Sequence, residues 1–286
     1  MGSGIPRIGA STACGAVATL VALVAVARPA EVPSEKTVLQ RAGAAVVAMA
    51  VALPTIVATE TFDQTSRSRV PGAAASRRLV AEIAWVSVAG DVEPIAVRDV
   101  VEVDRHVVGD RARLAGLLHS DRRASWADAR AILEEGARYN LAPGSRNFNL
   151  PTVALFFLHP DRQARFKWVR RSSHESAMWQ LDFRERDRPT VIRLSRGDSD
   201  DRLDPVYSRG RIQVDPTTGI VQQTILELTL VRVRYTLTTE FAPIAAVDLV
   251  LPVRLTERYE TPEDVVTGSA TYTNYRRFQT TGRLLP

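Results

Sequence analysis

From residue 165 to residue 280 apolar and polar side chains alternate along the chain, and this constrains the fold more than any other feature. Phe166 and Trp168 alternate with Arg165 and Lys167; Trp179, Leu181 and Phe183 alternate with Gln180, Asp182 and Arg184; Leu226, Leu228 and Leu230 alternate with Glu227 and Thr229. A period of two belongs to strands with one dry and one wet side. Further strands are expected at 190–194, 250–259 and 269–280. Asp215-Pro216-Thr217-Thr218-Gly219 is a strong turn between two of them. Val231, Val233, Tyr235 and Leu237 continue in the opposite phase to Leu230, so a tight turn or bulge is expected there.

Upstream the pattern is mixed. Segment 34–53 reads as a helix with Val38, Ala42, Ala45, Met49 and Leu53 on one stripe, capped by Ser34 and stopped by Pro54. Segment 56–65 is rich in β-branched residues and reads as a strand. Segments 78–88 and 94–104, joined through Gly90-Asp91, predict an antiparallel hairpin within 78–104. Helices are expected within 110–159: one over 110–119, a second opened by the capping-box-like Ser125-Trp126-Ala127-Asp128, and a third over 152–159. The third is apolar on every side, which demands burial. The expected fold is α+β: one curved antiparallel sheet of about ten strands, a half-barrel, with helices packed on its concave face.

Composition removes several classes. The chain has 286 residues, 45% hydrophobic and 24% charged, which suits a folded domain rather than a disordered or polytopic one. A single cysteine, Cys14, excludes a disulfide framework and cysteine-rich metal sites. The net charge is +5, carried almost wholly by arginine. Acidic residues are interleaved, as in Arg184-Glu185-Arg186-Asp187-Arg188, which reads as a solvated, ion-paired strand surface and not as a nucleic-acid face.

Arg7, an uncharged stretch over 8–27 and the exit Ala25-Val26-Ala27 have the form of a secretory signal peptide. The stretch is also about long enough for an uncleaved membrane anchor, roughly 20 residues. Segment 1–27 is therefore expected to be a signal peptide or anchor and 28–286 a single half-barrel domain, periplasmic or secreted. Peripheral or N-terminally anchored membrane association fits the second alternative.

The order of elements, with the run Gly210-Arg211-Ile212-Gln213-Val214-Asp215-Pro216-Thr217-Thr218-Gly219, resembles the half-barrel of bacterial outer-membrane lipoprotein carriers and related periplasmic stress regulators. Arg138-Tyr139-Asn140, Arg146-Asn147-Phe148-Asn149, Arg165-Phe166 and the stretch from Ala270-Thr271-Tyr272 to Arg277-Phe278 also resemble a family of secreted bacterial proteins of uncharacterised function, over most of 78–280. The carrier resemblance implies a concave apolar face able to hold an acyl chain or a lipid anchor. It carries over no catalytic residue.

Catalytic and metal signatures are missing from the sequence. His106, His119, His159 and His174 have no helix-borne ligand spacing, and no nucleophile elbow or phosphate-binding glycine loop occurs. Asp198, Asp200, Asp201 and Asp204 cluster in one loop, but without the glycine of a calcium turn and beside Arg196 and Arg202. No metal and no cofactor is expected. The expected function is a non-enzymatic binding protein for a hydrophobic or lipid-like ligand, lined by Trp85, Phe156, Phe157, Trp168, Trp179, Phe183 and Leu228. Arg146 at the mouth could pair with a headgroup phosphate or carboxylate; Asn149 as a helix cap and Arg146 in an ion pair is the other reading of that loop. The alternative function is an envelope scaffold or regulatory interaction module with a filled core and no ligand.

Overall fold

The computed structural model describes residues 32–68, 74–91, 93–109, 125–141, 150–171, 177–186, 190–195, 203–230 and 232–277; for 193–195, 203–205 and 230 only the backbone is described. The chain divides into the units Met1–Val32 and Pro33–Pro286, and the second contains every strand and helix described. Segment 1–27, the helix expected over 110–119 and Arg146 with its loop lie outside the described residues.

Helix α1 (Glu35–Ala52) starts where Ser34 Oγ accepts the backbone N–H of Thr37 at 3.1 Å, with Glu35 in the first turn where the helix dipole favours an anion. Pro54 ends it in a 3₁₀ turn, Leu53–Thr55. By length and composition α1 with that turn could also cross a membrane. In the fold its Val38, Ala42 and Val46 are packed into the core.

The strands follow in chain order: β1 (Ile56–Ser68), β2 (Ala75–Val86), β3 (Ile95–Val103), β4 (His106–Val107), β5 (Phe166–Arg171), β6 (Trp179–Glu185), β7 (Ile192–Ser195), β8 (Leu203–Val206), β9 (Ser208–Val214), β10 (Val221–Leu230), β11 (Val233–Ile244), β12 (Leu249–Glu260) and β13 (Asp264–Arg277). Eleven form one open antiparallel sheet in the order β4-β3-β2-β1-β13-β12-β11-β10-β9-β6-β5. The fold is thus the α+β curved half-barrel. The phase change after Leu230 is the tight β10–β11 connection, with Leu230 paired to Val233. β7 and β8 leave the sheet as a separate two-stranded ladder, so the strand expected at 190–194 does not extend it.

Along β1 the side chains of Ala58, Glu60 and Phe62 share the inner face, as do Leu79, Ala81, Ile83 and Trp85 on β2 and Leu226 and Leu228 on β10. One core cluster spans these strands, α1 and the segment 154–158.

Two features of the helical part differ from expectation. Segment 152–159 is not an α-helix. It forms turns and a 3₁₀ helix, Leu155–Leu158, followed by the single helical turn α3 (Pro160–Gln163). Pro151 and Pro160 leave too few residues between them to offset helix nucleation. Burial as demanded by composition is still met: Leu155, Phe156, Phe157 and Leu158 are fully buried. Helix α2 (Trp126–Ala137), capped by Ser125 Oγ accepting from Asp128 N at 3.1 Å, packs on the outer face instead of the inner one. Its Ala129 and Ile132 meet Ala84, Val86, Ile95 and Val97, which alternate with inward Trp85 and Ala96. The reason is that β2 and β3 are apolar on both sides at this end, so a second cover is required.

Candidate ligand-binding face

The inner face is closed by α1 and by a plug, residues 151–163. Gln163 Nε2 donates to the carbonyls of Leu39 on α1 (2.7 Å) and Leu158 (2.6 Å), and Trp168 Nε1 donates to the carbonyl of Gln163 at 3.0 Å. Two of these bonds tie the plug to the helix and to the sheet edge, and the third is internal to the plug. A fourth lies on β2, where Trp85 Nε1 donates to Thr152 Oγ1 at 3.2 Å.

The seven described residues of the expected lining all belong to one core cluster. Phe157, Trp168 and Phe183 come together with Phe166, which was not among the expected lining residues although it alternates in phase with Trp168. The Phe157 and Phe166 rings stack at 4.6 Å; Phe183 meets Phe157 edge-on at 5.5 Å and lies tilted against Trp168 at 5.6 Å. Trp179 lies near the same edge of the sheet, with the guanidinium of Arg170 3.6 Å from its ring centre. Trp85 and Leu228 lie on other strands, and with Phe156 they are fully buried.

The inner face is not uniformly apolar. Glu60 on β1, in direct register with Tyr272 on β13, receives Arg98 from β3. Arg98 Nη2 donates to Glu60 Oε1 at 2.8 Å, its Nε donates to Oε2, and Tyr272 OH donates to Oε1 at 2.9 Å. The guanidinium also lies 4.9 Å from the centre of the Phe62 ring. Burial works against the charge on Arg98, but Glu60 beside it outweighs this and raises its pKa. Burial, then the Glu60 charge, raises the Tyr272 hydroxyl well above its ordinary range, so it stays a donor. Two strands further along, Tyr235 OH donates to the buried Glu257 Oε2 at 2.9 Å. Near the same face Gln64 receives the Leu141 backbone N–H at 2.9 Å and donates to Asn140 at 3.3 Å. Arg98 shares one face of β3 with Ala96 and Val100, but Ile95 and Val97 make the other face as apolar, so alternation does not say that Arg98 points inward.

On the outer face two hollows adjoin β6 and β9. One, about 330 Å³, is lined by Asp182, Arg184, Arg209, Arg211 and Glu227; the other, about 380 Å³, by Lys167, Arg184, Glu185, Arg186 and Tyr207. Among the described residues no group of three or more His, Cys, Asp or Glu is arranged to hold a metal ion.

No protein-family model matches the sequence, and no curated protein matches it. Among solved structures the chain is similar to a LolA superfamily protein from Nitrosomonas europaea, at 11% identity over 88% of this chain and 94% of that one, with a TM-score of 0.31. It is also similar to a DUF1329 family protein from Desulfovibrio piger, at 11% identity over the same shares of the two chains, with a TM-score of 0.33. Both are likenesses of fold.

Proposed function

We propose that the protein is an exported, non-enzymatic binding protein that holds a hydrophobic or lipid-like ligand between its sheet and its helical cover. The observation that carries this is the make-up of the inner face. A wide apolar surface is covered by a short non-regular plug and one alanine-rich helix, not by a second sheet. Trp85, Phe156, Phe157, Trp168, Trp179, Phe183 and Leu228 would meet the ligand, and Arg146 would meet its polar end. Since those seven pack against each other or the plug, entry requires the plug or α1 to move away from the sheet. That movement breaks the plug's bonds to Leu39, Trp168 and Thr152, each contributing roughly 0.5–1.5 kcal/mol, and the ion pairs of Arg162 with Asp91 and Glu93. Segment 1–27 would direct the chain to the periplasm or anchor it to the inner membrane.

The test is to purify the chain from an envelope fraction, extract it with organic solvent and analyse the extract by mass spectrometry. In parallel a fluorescent acyl probe is titrated onto the delipidated protein. Recovery of a lipid, or saturable probe binding that Phe157→Asp abolishes, is the expected result. An empty extract together with no probe binding overturns the proposal.

A second reading has an observation of its own. Trp85, Phe156, Phe157 and Leu228 have no solvent exposure, so the space between sheet and cover is filled by side chains of the protein. On that reading the molecule is an envelope scaffold or regulatory interaction module. The empty-extract outcome favours it.

A further inference from the structure

In the sequence Arg184-Glu185-Arg186 the charges are interleaved, yet in space they separate. Strand alternation turns Glu185 inward, where its two carboxylate oxygens accept the backbone N–H groups of Val191 (2.6 Å) and Ser208 (3.1 Å). Arg184 is left on the outer face of β6, and Arg186 follows just beyond the strand, exposed. The register then sets like charges side by side. Lys167 on β5 is the direct partner of Arg184, and Arg184 is the direct partner of Arg209 on β9. Neighbouring strands are about 4.8 Å apart, and like charges directly opposite one another destabilise a sheet. Arg209 is relieved by Glu227 at 2.8 Å. Among the described residues neither Lys167 nor Arg184 has a carboxylate partner. Both line the hollow of about 380 Å³, with Arg186 and the half-exposed Tyr207 at its walls.

The geometry points to a binding site for a phosphate group in this outer hollow, with Lys167, Arg184 and Arg186 as its cationic ligands and Tyr207 as a hydroxyl beside them. An oxyanion there removes the repulsion that the register imposes and takes charge-assisted hydrogen bonds from the guanidinium groups. Glu185 lines the hollow too, and its two oxygens are already taken by the backbone amides of Val191 and Ser208. The site is separate from the inner face, and its test does not depend on the ligand proposed there.

Two probes distinguish the source of the phosphate: inorganic phosphate, read by isothermal titration at low ionic strength, and vesicles of phosphatidylglycerol with phosphatidylcholine, read by flotation against phosphatidylcholine alone. The variants are Lys167→Ala/Arg184→Ala, both exposed, and Arg254→Glu, an outward arginine on β12 as a net-charge control. Phosphate binding weakened at least tenfold by the double variant and unchanged by the control assigns a soluble phosphate. Flotation with anionic vesicles, lost on the same substitutions while inorganic phosphate does not bind, assigns a lipid headgroup. The inference is overturned if neither probe binds, or if the double variant binds no more weakly than the control.

Discussion

Arg98 and Glu60 form a buried ion pair in the core. Taking both charges out of water is unfavourable, and only their bidentate geometry with Tyr272 offsets it. Arg98→Met or Glu60→Gln should each lower stability by about 3–5 kcal/mol, because the charge or dipole left behind has no equal partner. The double variant Glu60→Leu/Arg98→Met should lose less than either alone, a non-additivity that urea denaturation reads directly. A second residue sets a pH dependence. Burial pushes the Glu93 carboxyl up to about 7, although Arg162 beside it acts in the opposite direction. Between about 4.5 and 7 the native state therefore binds a proton that the unfolded chain does not. The contribution of this group should be fully present below that window and fall by about 3 kcal/mol as pH rises through it, against the opposite trend set by Asp182 and Asp215, whose pKa values are lowered. Glu93→Gln should flatten the change, as followed by thermal unfolding from pH 4 to 8.

Among the elements, α1 depends on a turn far from it in sequence. Gly219 in the β9–β10 connection has φ +78°, and a Cβ there would lie 2.4 Å from the Arg41 carbonyl carbon of α1. Arg41 Nη1 donates to the Pro216 carbonyl of the same turn at 2.7 Å. Gly219→Ala should cost about 1–3 kcal/mol from strain and from displacement of the helix. Hydrogen exchange should show the amides of α1 losing protection more than those of β11–β13. The turn itself was legible in Asp215-Pro216-Thr217-Thr218-Gly219, and the strands in their alternation, because both signals are local. Docking of the turn on α1 was not, since no local pattern records which helix a glycine must approach. The side chosen by α2 was hidden for a similar reason: β2 and β3 carry apolar residues on both faces, so alternation alone does not say which face a given helix covers. The aromatic residues of the candidate face were readable one by one, whereas the Glu60–Arg98–Tyr272 contact joins three strands and leaves no trace in any one of them.

In the whole molecule, β1 pairs on one side with β2 and on the other with β13, so the centre of the sheet joins its two sequence-distant parts. The bond from Tyr272 to Glu60 spans 212 residues. Contacts of such separation are slow to form, because loop closure precedes any gain from them. A variant ending at residue 262 should leave β1 and β12 as long open edges and aggregate, as size-exclusion chromatography would show. Until β13 arrives, each part of the sheet displays its oily side with no neighbour to finish it. While that strand is missing, β1 and β12 both offer unpaired backbone groups to any other chain that can add a strand.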